Sequence, residues 1–435
     1  MPIASRRLYV LLASGLVFFL ATYVHPVFAR IGMAYDFLIL GLLALDFALT
    51  PRPNCLSAQR AVSDRLSIGR LNPVEIEVYN QGLRNLNVRV RDDFPRQLES
   101  DVLEFVFELA QKSRATLKYV LTPRSRGLYT FGKINVRYLS RLGLFWVQVS
   151  SPAQRQVKVY SDLMALQELS VRLSHSSELG DMRLRKRGHG TDFASLREYV
   201  SGDDTRGIDW KATARRERPV VRVYEVEREQ TLMVLVDAGR MMVSDLEGLS
   251  RFDHALNAAL SLTLTGLYRN DQVGFGIFAD KALLYMPPRR GKAYLTRILE
   301  AVCDTRPRMV EPDYVGALSY FASAQKSRSL MVVLTDLTDP TGSQTLLTGL
   351  ASLSPRHLPF CVTLRDRQIE QVAANQHLII EDIYKRSVAT DLLAQRELAF
   401  SHLTRRGCLV LDCPPQELSE KLVDKYLEIK ARGRL

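Results

Sequence analysis

Residues 232–236 read Leu-Met-Val-Leu-Val and stop at Asp237. A strand with one wet face alternates apolar and polar residues. A strand apolar at every position has to be covered on both faces, as inside a parallel sheet with helices on either side. The aspartate that closes the run then sits at the carboxyl edge of the sheet, where open α/β sheets bind ligands. The run therefore calls for a layered α/β domain, and the residues after it supply the rest of one. Apolar spacing predicts a helix over 251–268, strands over 272–279 and 282–286, and helices over 291–302 and 313–325. It continues with a strand over 329–335, a helix over 343–353, a strand over 358–364, a long helix over 382–404, a strand over 408–412 and a helix over 415–431. That alternation is a doubly wound α/β pattern. The last helix opens on Pro414 and Pro415 and closes on Lys430-Ala-Arg-Gly, a start and a stop signal.

Upstream, the chain of 435 residues changes character twice. Residues 8–24 and 31–49 are two apolar runs joined by His-Pro-Val-Phe-Ala-Arg, each near the lower limit for crossing a hydrocarbon core of about 30 Å. They read as a transmembrane helical hairpin occupying residues 1–53. A signal peptide, with Arg6 and Arg7 ahead of the core and Val-Phe-Ala as cleavage site, is the rival; the second run follows at once and a signal peptide has no use for it. Arg6 and Arg7 precede the first run and Arg52, Arg60 and Arg65 follow the second, whereas the joining loop has only His25 and Arg30. The positive-inside rule then puts both termini in the cytoplasm. Asp36 and Asp46 lie in the second run, about 80° from facing alike on a helix. Asp46 is expected to reach the membrane interface, which leaves Asp36 as an intramembrane carboxylate, functional or simply hydrogen-bonded to the other helix.

Residues 54–160 show period-two alternation in Val-Glu-Ile-Glu-Val-Tyr-Asn, Leu-Asn-Val-Arg-Val-Arg and Ala-Thr-Leu-Lys-Tyr-Val-Leu, broken by Gly, Pro and Asn turns. They read as an antiparallel β-sandwich, immunoglobulin-like or fibronectin-like in form, whose aromatics belong to the core. Residues 161–230 form a connector with helical patterning, the basic run 182–187, glycines at 188 and 190, and a densely charged segment; residues 231–435 are the α/β domain.

The formal charge of +12 raises the question of nucleic acid. The arginines are scattered, many flank the apolar runs, and no aromatic-plus-basic stacking platform accompanies them, so no nucleic-acid partner is expected; an anionic leaflet accounts for the bias. Five cysteines, Cys55, Cys303, Cys361, Cys408 and Cys413, include no Cys-x-x-Cys pair and fit a reducing compartment. Nucleotide-loop, His-x-x-x-His and Gly-x-Ser-x-Gly signatures do not occur. Gly274-Phe-Gly276 lies inside a strand pattern, and His175, His189 and His254 have no partner at useful spacing.

The charged segment is the most distinctive. Phe193, Leu196 and Val200 are three or four apart, which predicts a helix turn or two. A turn rich in Ser, Gly and Asp follows, then Asp209 as a cap for a short helix starting at Trp210, one of two tryptophans in the chain. Arg197, Glu198, Asp203, Asp204, Arg206, Asp209, Lys211 and Arg215 alternate in sign. They suit an ion-pair network folding the segment over the sheet edge, or a partner-docking surface anchored by Arg and Trp. The expectation is a buried Trp210 with Arg206, Asp209 and Arg215 bonded around it.

The pattern Asp-Phe-x-x-Leu-Arg-Glu-Tyr, then Ser-Gly-Asp-Asp-x-Arg-x-Ile-Asp-Trp-Lys-Ala-x-Ala-Arg, then a strand ending in Asp237 resembles the bacterial domain of unknown function 58 family. Arg-Gly-Leu-Tyr-Thr-Phe-Gly and Arg-Leu-Gly-Leu-Phe-Trp in the β-rich part look like turn-and-strand motifs of the same family. The resemblance implies a von Willebrand factor type A-like sheet, an inner-membrane anchor and a MoxR-type AAA+ ATPase as partner. Type A domains often hold a divalent cation through Asp-x-Ser-x-Ser, a loop threonine and a further Asp. Here the motif reads Asp237-Ala238-Gly239-Arg240-Met241, with Gly239 and Met241 in place of the serines. Asp336, preceded by Thr335, keeps the further acid, and the loop at 312–318, where a threonine is expected, reads as offering Asp313 but no hydroxyl. Asp237 and Asp336 are expected to face each other, with Arg240 or another cation neutralising them and no metal or other cofactor required; a cation held through waters is the alternative.

Taken together these readings describe a membrane-anchored binding or adaptor protein without catalytic residues. A metal-dependent hydrolase using Asp237 and Asp336, or an extracytoplasmic adhesion module of opposite topology, are the alternatives.

Overall fold

The computed structural model describes residues 2–180, 192–201, 203–225, 230–337, 340–374 and 380–432. The basic run 182–187, Gly188, His189, Gly190, Gly202 and Val226 lie outside them, as does the side chain of His175. The chain forms two units, Met1–Tyr160 and Ser161–Leu435.

In the first unit, strand β1 (Pro2–Ala4) leads into helix α1 (Arg6–Ala21), and helix α2 (Val27–Leu49) returns. Among the described residues, one helical stretch, Val27–Cys55, is long and apolar enough to cross a membrane. Strands β2 (Leu56–Ala61), β3 (Arg65–Ser67), β4 (Asn72–Asn80), β5 (Leu86–Asp92), β6 (Leu98–Ser100) and β7 (Phe105–Leu109) follow. Then come β8 (Arg114–Pro123), β9 (Gly127–Phe131), β10 (Ile134–Leu139), β11 (Phe145–Ser151) and β12 (Arg155–Tyr160). They build sheets of order β1-β11-β10-β5-β7, β2-β4-β8-β6 and β3-β12-β9, antiparallel except for β3 against β12. Val74, Ile76 and Val78 on β4 and Val88 and Val90 on β5 are buried at alternate positions, the pleat turning the period-two pattern into a core. Phe131 and Phe145 are in that core too.

The turn between β10 and β11 pins both helices. Ser5 Oγ donates to the Gly143 carbonyl at 2.6 Å and also caps α1. The Asp46 carboxylate, expected at a membrane interface, is instead fully buried and accepts from the amides of Leu142 at 2.7 Å and Leu144 at 3.3 Å. A carboxylate at a helix end is drawn to a turn whose amides have no strand partner.

The second unit opens with helix α3 (Leu163–Gly180), strand β13 (Asp192–Glu198), helix α4 (Trp210–Arg216) and strand β14 (Val220–Glu225). Strand β15 (Thr231–Asp237), the short β16 (Asp245–Leu246) and β17 (Leu249–Ser250), helix α5 (Arg251–Tyr268), β18 (Gln272–Phe278) and β19 (Ala282–Arg289) follow. The remainder is α6 (Ala293–Cys303), α7 (Tyr314–Ala324), β20 (Leu330–Thr335), α8 (Pro340–Leu353), β21 (Leu358–Leu364), α9 (Arg367–Ala374), α10 (Ile380–Arg405), β22 (Leu409–Cys413) and α11 (Pro415–Ala431). Six strands form one sheet of order β19-β18-β15-β20-β21-β22, parallel except for the edge strand β19.

The apolar run is buried on both faces. Leu232, Val234 and Val236 pack with residues of α5 and α11, while Met233 and Leu235 pack with residues of α7 and α8. The Gly274-Phe-Gly276 stretch lies within β18, where a side chain at 276 would meet the Phe321 ring at 2.7 Å; the glycine is there for close packing. All five cysteines are free thiols, four of them buried.

The secondary-structure reading of residues 193–200 needs correction. Phe193, Leu196 and Val200 do not mark a helix: residues 192–198 pair with β14, Glu198 opposite Val220. The register shifts between Phe193 and Ser195, and that irregularity breaks the alternation by which a strand is recognised. Helix α9 was not expected from the sequence.

Candidate functional site

The chain reverses its direction of travel across the sheet at β15, with β18 on one side and β20 on the other. Outside the carboxyl ends of such neighbours a doubly wound sheet has its ligand crevice. Asp237 ends β15, and Asp336 follows β20.

These two aspartates do not face each other. Val236 is in register with Leu334, which puts Asp237 opposite Thr335 and one residue before Asp336. The pleat then sends consecutive side chains to opposite faces. On one face, Asp237 Oδ2 accepts from Thr335 Oγ1 at 2.6 Å and from the Tyr314 hydroxyl at 3.0 Å, and Oδ1 from the Gly239 amide at 2.7 Å. Burial pushes this carboxyl up to about 6, against the three hydrogen bonds that favour its charged form. Burial and the Asp237 charge push the Tyr314 phenol well above its ordinary value, so it stays a donor.

On the other face, Asp336 is ion-paired with Arg251 and, at 2.9 Å, with Arg396. Arg251 also reaches Asp366 at 3.0 Å, and Arg396 reaches Asp412 at 2.6 Å. Arg365 closes the set on Asp412 at 3.0 Å. Three guanidinium groups thus meet three carboxylates across the ends of β20, β21 and β22. Burial works against the charge of Asp412, but Arg396 holds its carboxyl below the usual range. Arg251 and Arg396 are each buried, with Nε unbonded in both.

The neutralising cation is therefore not Arg240, which pairs with Glu311 at the surface. It is Arg251, brought in by the first turn of α5, with Arg396 from α10. The glycine standing for the first serine has a structural reason: a side chain at Gly239 would meet Pro312 at 2.9 Å and Asp237 Oδ1 at 3.0 Å. Met241 is half-buried. The loop at 312–318 does supply a hydroxyl, that of Tyr314, while Asp313 caps α7 through the Gly316 amide. A search for a small hydroxyl passes over a phenol whose oxygen lies a ring's length from its backbone. Among the described residues no three His, Cys, Asp or Glu side chains gather as a metal-binding group.

Arg251, Tyr314, Arg365, Asp366, Arg396 and Asp412 were missed by sequence reasoning. One signal was there: Leu-Val-Leu-Asp412 repeats the apolar run closed by aspartate that singled out Asp237. Arg396 sits mid-helix in α10 and carries no such mark.

The charged segment is tied largely to itself. The Arg197 guanidinium grips Asp203, with one bond of 2.6 Å, and Asp203 Oδ2 also accepts from the Val200 amide at 3.0 Å. Glu198 meets Arg218 at 3.2 Å. Asp204 accepts from the Arg206 amide, and Asp209 caps α4 through the amides of Lys211 and Ala212 at 3.0 Å. The other Asp209 oxygen takes Arg222 Nε at 2.9 Å, and that bond lowers the pKa of Asp209. Trp210 is not buried: it is 72% exposed. The half-buried side of α4 is Ala212 and Thr213, and a residue two positions away points roughly 200° around the axis. Arg206 and Arg215 are exposed as well.

A parallel α/β sheet whose ligand edge is closed by its own side chains, joined to a β-rich unit with an apolar helix, defines the class. Residues 195–407 match the model of the family described as "Protein of unknown function DUF58". Uncharacterised proteins of Mycobacterium bovis and Mycobacterium tuberculosis are 23% identical over 197 residues, covering 45% of this chain and 61% of theirs. The chain thus spans about three fifths of the length of the curated relatives it matches. Among solved structures, the conserved hypothetical protein BatB from Bacteroides thetaiotaomicron aligns at 14% identity and a TM-score of 0.32, covering 47% of this chain and 99% of that one. An aerotolerance-related membrane protein from Bacteroides fragilis aligns at 17% identity and a TM-score of 0.32, covering 46% and 99%.

Proposed function

We propose that this protein is a membrane-anchored binding protein, an adaptor without catalytic chemistry of its own. It resembles adaptors that work with a MoxR-type AAA+ ATPase to assemble or mature another protein complex. The observation that carries the reading is the closed state of the sheet's ligand edge. Asp237 is engaged by Thr335, Tyr314 and Gly239, and Asp336 by Arg251 and Arg396. General acid–base work needs a carboxylate within reach of a substrate proton, and metal work needs oxygens free to ligate. The sheet order supports a von Willebrand type A-like domain in which an internal guanidinium takes the cation's electrostatic place.

Anchoring rests on the apolar surface of α1 and α2, where Tyr9, Val10, Leu16, Phe37, Leu40 and Phe47 are exposed, more than a soluble unit leaves bare. Ser5, ahead of α1, and Asp46, near the end of α2, are both bonded to the 142–144 turn. A hairpin held so at its base enters and leaves the bilayer on one side. The basic residues beside it favour the cytoplasm for that side, and the family resemblance implies the bacterial inner membrane. Tagged full-length protein captured from solubilised membranes tests the reading. An AAA+ ATPase co-purifying with it supports the adaptor. Release of the chain by alkaline carbonate, or capture without any ATPase, sinks it.

A further inference from the structure

Helix α4 reads Trp-Lys-Ala-Thr-Ala-Arg-Arg and carries no acidic residue. Trp210 is 72% exposed, and Val200, on the turn ahead of it in the chain, is 61% exposed. Arg206, Lys211, Arg215 and Arg216 are exposed as well. Of the acids nearby, Asp203 is held by Arg197, Glu198 by Arg218 and Asp209 by Arg222, while Glu217, which caps the end of α4, is exposed. Asp204 turns back to the amide of Arg206. Among the described residues, none of Arg206, Lys211, Arg215 and Arg216 forms an ion pair. The result is an exposed indole with four cations outside any ion pair around its helix and an exposed acid, Glu217, at the helix end.

An indole with an apolar body and a polar N–H settles at the headgroup level of a bilayer, and Lys and Arg stems lie along that layer with their charges on lipid phosphate. Anionic leaflets attract such clusters. We propose that this face docks on the anionic surface of a lipid bilayer, Trp210 entering the headgroup layer and Arg206, Lys211, Arg215 and Arg216 meeting lipid phosphates. The proposal rests on the anchoring proposed above. A chain already held at the membrane by its apolar helix docks a second time at high effective concentration, so a patch this small suffices. The charge complementarity is with an extended anionic plane, the kind of surface to which the proposed anchor tethers the chain.

The test uses full-length protein carrying Trp146→Phe, which leaves Trp210 as the reporter and keeps a ring beneath Arg89. It is reconstituted in phosphatidylcholine vesicles with or without phosphatidylglycerol, some containing brominated lipid. The expected result is a blue-shifted emission quenched by brominated lipid in the anionic vesicles. Quenching should be several-fold weaker in phosphatidylcholine alone, at high salt, and with Lys211→Glu and Arg215→Glu together. Water-exposed, unquenched emission in anionic vesicles overturns the proposal. So does a blue shift that needs an added acidic protein, which would assign the face to a protein partner. Flotation at high salt reports the helical anchor separately. A chain that floats with Trp210 unquenched fails this proposal alone, and one that does not float fails the anchoring as well.

Discussion

Arg251, the first residue of α5, is ion-paired with Asp336, the residue after β20, and both side chains are out of solvent. A cation in the first turn of a helix opposes the helix dipole. It is tolerated here because the carboxylate it meets has no water to meet instead. With Arg396 on its other oxygen, Asp336 joins α5, β20 and α10 in one polar knot.

Removing one member of a buried ion set strands the others. Arg396→Met should lower unfolding free energy by about 3–5 kcal/mol, with Asp336 left to Arg251 alone and Asp412 to the half-exposed Arg365. Urea denaturation of the variant checks it; a loss under about 1 kcal/mol would mean that the knot is solvated and structurally idle.

The Asp237 carboxyl has a pKa near 6 in the folded chain, above the unfolded value of about 3.9. A raised folded pKa means the folded state holds its proton longer. The stability from this group is therefore complete below about pH 4 and is lost as pH rises through about 6, by about 3 kcal/mol. Asp237→Asn keeps an acceptor for the Gly239 amide and removes the titration. Subtracting wild type from Asp237→Asn, measured from pH 4 to pH 7.5, should give a difference that climbs with pH, other groups cancelling. A flat difference would place the pKa near its ordinary value.

A divalent cation at the sheet edge would have to displace Arg251 from Asp336. Ligand linkage gives about 2.7 kcal/mol at a hundredfold excess over the dissociation constant, a readily measured rise in melting temperature. We expect Mg²⁺ and Mn²⁺ to leave the melting temperature of the full chain unchanged. A rise that Asp237→Ala abolishes would favour the hydrolase alternative over the adaptor.

Trp210 stands 72% exposed, so its removal vacates no core. Trp210→Ala should change stability by no more than about 0.5 kcal/mol, as for other surface positions. A loss of about 3 kcal/mol or more would show the indole buried in solution, as the sequence had led us to expect.

The loss of Asp46 should be felt in the first unit. Asp46→Ala leaves the amides of Leu142 and Leu144 without their acceptor, at about 1–3 kcal/mol. Thermal melting in detergent measures it, and Asp46→Asn, which keeps one acceptor oxygen, should recover part of the loss.

What the sequence determined by itself is whatever depends on the order of apolar and polar residues along a few turns or strands. The uninterrupted run 232–236 required a sheet covered on both faces, and the helix expected over 251–268 is α5. Asp209, placed before a short helix, caps it. These features are local, and their periodicity is written in the chain. Partners were decided by the tertiary structure alone. Arg251 and Asp336 are 85 residues apart, and Thr335 and Asp237 are 98 apart. Nothing at either position names the other. Which face a strand-end carboxylate takes depends on register with a neighbouring strand, and one residue separates Thr335, bonded to Asp237, from Asp336, bonded to Arg251. The strand 192–198 was hidden for the same reason, since its pairing with β14 outweighs a local spacing that reads as helix. Exposure of Trp210 also followed from packing: a helix of seven residues turns one side, here the half-buried Ala212 and Thr213, inward, and the sequence does not say which.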